Sequence, residues 1–280
     1  MRRFTIFTAS LLFLAWTATA SAITLYDGTL GTLPAAQPTP GQGWAYGASG
    51  AATQTAAGGV TTLDTTAADS ISAGYNAHLV GTISGNPATY TMTGLPVPFD
   101  RSTGYTVEIT TQVNSESHGT HTDRAGFSII VLSSDLNGIE LGLWTNEIWA
   151  QSISAGPTYF THGEGAAYPP TTQHQYDLAI LGGQYRLFSD GTQILSGNLR
   201  DYSGSLKNTT VGAFSTFPYA TPNYIFLGDD TTEANASVNI ADVRMFSTAL
   251  PEPASFVLMG LGVLVCGGIA YRHRRKPPLN

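Results

Sequence analysis

One stretch near the C-terminus limits what this chain can become. From Ala254 to Tyr271 there are eighteen residues without a charge. As a helix with about 1.5 Å rise per residue, they span roughly 27 Å. A bilayer's hydrocarbon core is about 30 Å thick. Pro251-Glu252-Pro253 stands before the stretch and Arg272-His273-Arg274-Arg275-Lys276 follows it. Such a basic cluster stays on the cytoplasmic side, so the chain before it is placed outside the membrane.

The triplet, the Gly- and Leu-rich run Met259-Gly260-Leu261-Gly262-Val263-Leu264 and the Arg-rich end occur in that order. Together they resemble the sorting signal of PEP-CTERM proteins of Gram-negative bacteria that make extracellular polysaccharide. The resemblance implies a temporary anchor, cut near the triplet by an exosortase, a membrane-embedded cysteine protease. Pro251, Glu252, Pro253, Arg272, Arg274 and Arg275 are then the sorting signal. Pro277-Pro278-Leu279-Asn280 departs from the pattern. An ordinary single-pass anchor is the alternative.

The N-terminus agrees about the compartment. Arg2 and Arg3 precede the apolar run from Phe4 to Ala18, and Ala20-Ser21-Ala22 is a small-residue cleavage site. This pattern predicts a signal peptide over residues 1–22, removed after Ala22. The exported domain is then 23–250, followed by the sorting segment 251–280 with a transmembrane helix over 254–271. The single cysteine, Cys266, falls in that helix, so the exported domain forms no disulfide. Between Ile23 and Leu250 there are six basic and eighteen acidic residues, an excess of twelve negative charges. That field repels nucleic acid and anionic lipid head groups. It leaves neutral sugars and divalent cations.

The exported segment carries no long helical periodicity. Residues 45–77 are rich in Ala, Gly and Thr, a turn-prone composition that predicts short edge strands and loops. From Tyr105 onward, strand patterns recur every eight to twelve residues or so, as in a sandwich or barrel. They are Tyr105–Thr110, Ala125–Leu132, Ile139–Trp144, Glu147–Ser152, Tyr176–Leu181, Gln184–Ser189, Thr192–Ser196, Asn223–Leu227 and Ser237–Phe246. Ala125–Leu132 is almost continuously apolar, as a strand covered on both faces requires. Gly182-Gly183 and Asp190-Gly191 supply tight turns.

The run from Tyr176 to Gly197, with Phe188-Ser189-Asp190-Gly191 inside it, resembles a hairpin segment of concanavalin A-like and laminin-G-like sandwiches. Asp123–Trp144 and Asn223–Asp230 resemble the exported choice-of-anchor lectin-like domains. The resemblance spans roughly Tyr26 to Phe246. It implies an all-β, two-sheet antiparallel jelly-roll sandwich. That fold hosts lectins, glycosidases, lyases and inert adhesion modules, so it does not decide function.

A two-residue loop at Thr145-Asn146 pairs Trp144 with Glu147, Gly142 with Trp149 and Glu140 with Gln151. Leu141, Leu143, Ile148 and Ala150 then form a core face. Glu140, Trp144, Glu147, Trp149 and Gln151 share the other face. Indoles beside carboxylates and an amide suit a sugar ring and its hydroxyls. The competing reading has a loop covering the indoles, which then only fill space. Glu140 and Glu147 fall four residues apart along this ladder, about 13 Å, beyond the roughly 5.5 to 9.5 Å of paired glycosidase carboxylates. No catalytic residue is assigned.

Three further clusters stand out. His118, His121 and Asp123 make a partial metal site without a recognised spacing. Asp229 and Asp230 are candidate calcium ligands or a capped acidic turn; apart from such a structural calcium, no cofactor is expected. His162 and Glu164 lie in a Gly-rich segment read as a loop, and Asp123 beside Arg124 reads as a local ion pair. The expected protein is an exported, non-catalytic polysaccharide- or partner-binding module of the cell surface or matrix, handled by an exosortase-type protease. The alternatives are a carbohydrate-active enzyme and an inert coat protein.

Overall fold

The computed structural model describes residues 22–37, 44–78, 98–153, 161–203, 210–211, 214–215 and 217–247. Residues 1–21 of the predicted signal peptide and the predicted membrane helix over 254–271 lie outside them. Among the described residues no helix is long and apolar enough to cross a membrane.

The strands are Ala22–Asp27 (β1), Ala45–Ala48 (β2), Thr53–Ala57 (β3), Val60–Asp64 (β4), Ala73–His78 (β5), Tyr105–Ser117 (β6), Ser128–Leu132 (β7), Asn137–Leu143 (β8), Ile148–Ser152 (β9) and Thr161–Ala166 (β10). They continue with His174–Leu181 (β11), Gln184–Ser189 (β12), Thr192–Asn198 (β13), Arg200–Asp201 (β14), Thr210–Val211 (β15), Phe214–Ser215 (β16), Tyr224–Asp229 (β17) and Asn235–Phe246 (β18). One short helix, Phe217–Ala220 (α1), precedes β17. The first sheet runs β13-β12-β11-β6-β18-β4-β3, with β1 also on β18. The second runs β10-β9-β8-β7-β17-β5-β2, with β14 also on β8. Neighbours in both sheets are antiparallel, which gives the predicted all-β, two-sheet sandwich.

The main core lies between the sheets because the strands alternate. Val107 and Ile109 of β6, Ile139, Leu141 and Leu143 of β8, and Leu178 and Ile180 of β11 all point inward. In β18 the inward set is Ala236, Val238 and Ile240, then Val243 and Met245. The change of parity comes from a bulge between Ile240 and Asp242. One extra residue there keeps the apolar side chains facing the core.

β7 shows why its sequence is apolar from Ile129 to Leu132. Ile129 and Val131 enter the main core, while Ile130 and Leu132 enter a second cluster with Tyr202, Tyr219, Tyr224 and Phe226. That second cluster covers the middle of the second sheet's outer face. The Asp190-Gly191 turn has positive φ at both residues, 48° and 78°, as a tight hairpin with right-handed twist prefers.

Three expectations need correction. Residues 45–77 are not only edges: β4 sits between β3 and β18, and β5 between β2 and β17. Gly58-Gly59 supplies the positive-φ turn that makes β3 and β4 a hairpin. The Gly-rich segment at His162 is strand β10, bulged between His162 and Gly165. Third, Ala22–Asp27, assigned no strand from the sequence, lies beside β18.

Truncation tests this core directly. Leu141→Ala removes a fully buried side chain and is expected to cost about 2–5 kcal/mol. Leu181→Ala, at a position 54% exposed, should change stability by less than about 0.5 kcal/mol. Urea unfolding of residues 23–250 reads both. Equal losses would contradict the assignment of faces.

Candidate functional site

The ladder of β8 and β9 sets the site. Leu141 pairs with Ala150, Gly142 with Trp149 and Leu143 with Ile148. The Trp144 amide donates to the Glu147 carbonyl at 2.9 Å, closing the Thr145-Asn146 loop. The register is the one expected. Burial then divides the five predicted sugar-contact residues. Glu140, Trp149 and Gln151 are buried, whereas Trp144 and Glu147 are only partly covered.

Trp149 fills space. Its indole lies across Gly142, where an added Cβ would come within 2.6 Å of the ring. The His162 imidazole of β10 stacks over it at 4.8 Å between centroids and 18° between planes. Gln151 lies beside His162 in the next register pair. These two, with Glu140, are therefore not surface contacts for a ligand.

Trp144 sits at the rim. His118 stacks on it at 4.1 Å and 15°, and His162 meets it at 5.3 Å and 44°. Its indole N–H donates to the Arg124 carbonyl at 2.6 Å. A cleft of about 420 Å³ opens here, lined by Thr122, Asp123, Trp144, Thr161 and His162. One wall is aromatic; the others carry two hydroxyls and a carboxylate. Glu147 lies behind it, 3.1 Å from His162 Nε2.

The His118 region is used differently from a metal site. His118 Nδ1 lies 3.0 Å from both oxygens of Glu116, whose carboxyl burial pushes above its usual range. Among the described residues no three His, Cys, Asp or Glu side chains converge as metal ligands. Arg124 pairs with Asp123 at 3.3 Å, as expected, and with Glu233 at 2.8 Å. Glu164 does not line the cleft. It accepts from Arg200 at 2.7 Å and from Tyr185 at 2.8 Å, tying β10 to the other sheet.

Glu140 belongs to a buried network that the sequence did not reveal. Tyr219 of α1 donates to Glu140 and lies 3.4 Å from Asp230 Oδ2. Ser128 donates to Glu140 Oε1 at 3.1 Å. Burial, then the neighbouring Asp230 charge, holds Glu140 well above the carboxylate range. Burial also raises Asp230. Two carboxyls this close and this dry cannot both ionise cheaply. What they grip is Tyr219, which stacks on Tyr202 at 4.9 Å and 10°.

Asp229, the last residue of β17, and Asp230, just beyond it, turn to different partners. Asp229 accepts from Thr65 Oγ1 at 2.7 Å and from the Thr231 amide at 3.1 Å. Asp230 turns to Tyr219 on the outer face. The two carboxyls do not converge on one point, so a calcium ion held by both is not what this geometry favours.

With this geometry established, similar proteins can be compared. Residues 249–276 match the model of the PEP-CTERM protein-sorting motif. The chain carries a PEP-CTERM sorting signal. The motif indicates export, with C-terminal membrane anchoring through that signal, and implies processing by an exosortase. Pro251, Glu252, Pro253, Arg272, Arg274 and Arg275 fall within the matched segment, outside the described residues. No curated protein matches the chain.

Similar solved structures include a carbohydrate esterase of the Shiga toxin-encoding bacteriophage phi24B. It has 14% identity and a TM-score of 0.49, over 82% of this chain and 100% of that one. The metal-free carbohydrate recognition domain of Emp46p has 8% identity and a TM-score of 0.44, over 81% and 97%. The binding domain of botulinum neurotoxin DC, solved with rat synaptotagmin II, has 10% identity and a TM-score of 0.43, over 78% and 46%.

The buried acids give a pH test. Burial pushes Asp229 up to about 9. A carboxyl raised on folding holds its proton better in the native state, so its contribution is complete below the unfolded pKa of about 4 and is lost as pH rises through the folded value. Asp64, Asp135 and Glu164 are held low by hydrogen bonds and ion pairs. Their contributions are lost only in acid. Melting temperature should therefore fall between pH 5 and 9, and Asp229→Asn should flatten that fall. An unchanged slope in the variant would contradict the burial of Asp229.

Proposed function

We propose that residues 23–250, released from a signal peptide over 1–22, form a non-catalytic surface or matrix module that binds a neutral polysaccharide in the Trp144 cleft. The observation that carries the reading is the lining of that cleft. An indole and an imidazole offer apolar ring surface, while Thr122, Thr161 and Asp123 offer hydroxyl and carboxylate partners. Aromatic bodies with a few placed polar groups are what sugar rings require. The negative excess of the exported segment disfavours uronic-acid polymers and nucleic acid by the same Coulomb argument.

Catalysis is the weaker reading. Glu140 and Asp230 are one closely placed carboxyl pair, enclosed beneath Tyr219; Glu108 and Asp177, opposite each other on β6 and β11, are another, and both residues are buried. Acid–base work on a glycosidic bond requires carboxyls that reach the bond. An inert coat protein is the remaining rival, and glycan binding separates it.

Binding to immobilised neutral glycans tests the proposal. Trp144→Ala should weaken it about tenfold, near 1.4 kcal/mol. Thr122→Trp, which fills the cleft from an exposed position, should abolish it. Trp149→Ala is a poor probe, because losing a buried indole costs about 3–5 kcal/mol of stability. Binding indifferent to both Trp144→Ala and Thr122→Trp, or no binding to any glycan, would overturn the proposal. New reducing ends in the same mixtures would move the assignment to an enzyme.

A further inference from the structure

The strand registers fix where the cleft stands relative to the two ends of the sandwich. Phe246, the last residue of β18, pairs with Ala22 on one side and Thr106 on the other. Asn235, its first, pairs with Ser117. The two ends of β18 are thus the two ends of the sandwich. Twelve residues separate them inclusively, about 35 Å at strand rise. His118 follows Ser117 directly and stacks on Trp144. The cleft therefore belongs to the Asn235 end.

The opposite end leads along the chain into the sorting segment. Pro251 is the fifth residue after Phe246, and the charge-free stretch begins at Ala254. Eight residue steps reach at most about 28 Å when fully extended. Ala22, next to the predicted signal-peptide cleavage point, emerges at that same end.

One surface feature agrees with this polarity. Leu181, one of two large apolar side chains left more than half exposed among the described residues, caps β11 at the turn to β12. Its neighbour Ile180 pairs with Tyr105, the foot of β6, and the Gly182 amide donates to the Arg101 carbonyl. Arg101, Arg186 and Arg244 lie towards this foot. Arg101 is held by Asp135 and Arg244 by Asp242, as Arg124 is held by Asp123 and Glu233 at the cleft end, so the arginines do not distinguish the two ends. An exposed leucine suits an interface.

We propose that the anchored protein stands with the Phe246 end towards the bilayer and presents the Trp144 cleft at the membrane-distal end, so that its ligand is a polymer outside the membrane and not a lipid headgroup. This deepens the polysaccharide reading and rests on it for the ligand, though the orientation itself stands on the registers and the sorting signal.

The test uses the full chain in vesicles, with Cys266→Ser removing the native thiol. One donor fluorophore is placed at Thr122→Cys or at Gln184→Cys, both exposed, the first at the cleft and the second at the foot of β12. Energy transfer to headgroup-labelled lipid should be about twofold or more higher from position 184, as a height difference of roughly 30 Å implies. Equal transfer, or more from 122, overturns the orientation. Ligand binding is not read in this experiment. Failure here leaves glycan binding by the free domain intact, and failure of glycan binding leaves the transfer difference intact.

Discussion

The pairing of β18 with β6 is the constraint on which the rest depends. The register runs from Asn235 opposite Ser117 to Phe246 opposite Thr106. On its other edge β18 holds β4 through Ser237–Ile240 and β1 through Asp242–Phe246. The first and last strands are thus closed into the middle of one sheet. No disulfide contributes, since the only cysteine is Cys266. Closure relies on ladder hydrogen bonds and on Val238, Ile240, Val243 and Met245 reaching the core from both sides of one bulge.

The site follows from what that sandwich leaves uncovered. The outer face of the second sheet begins as a broad surface of alternating side chains. Tyr202 and Tyr219 close its middle, and Glu140 with Asp230 holds Tyr219 there. His162 closes the neighbouring strip over Trp149. What stays open is the rim, where Trp144 meets Thr122, Asp123 and Thr161. Buried carboxyls that retain protons are tolerable here because each has hydroxyl or amide partners; an unpartnered ionised pair would not be.

Much of the fold was legible because alternation is local. Gln184–Ser189 coincides with β12 at both ends, and the Thr145-Asn146 loop fixed the β8–β9 register. Residues 53–64 were harder. Their strands are built from Thr, Gln and Ala around Gly58-Gly59, and the signal lies in the turn more than in hydrophobicity. β10 was hidden because Thr161-His162-Gly163-Glu164-Gly165-Ala166 has no strand-like composition; a bulged edge against β9 imposes its extension. For the site, sequence placed Trp144, Trp149, Glu140, Glu147 and Gln151 on one face correctly. It could not say which would be covered, because the covers, His162 and Tyr219, come from distant chain. The partnership of Glu140 with Asp230 is likewise non-local and leaves no pattern in either strand.

Peptide-resolved hydrogen–deuterium exchange on residues 23–250 tests the central closure most directly. Peptides covering 105–117 and 235–246 should be the slowest to exchange, and the peptide beginning at Ile23 should be protected along with them. Exchange in 235–246 as fast as in the 118–124 loop would contradict β18 as the strand that holds the two ends of the domain in one sheet.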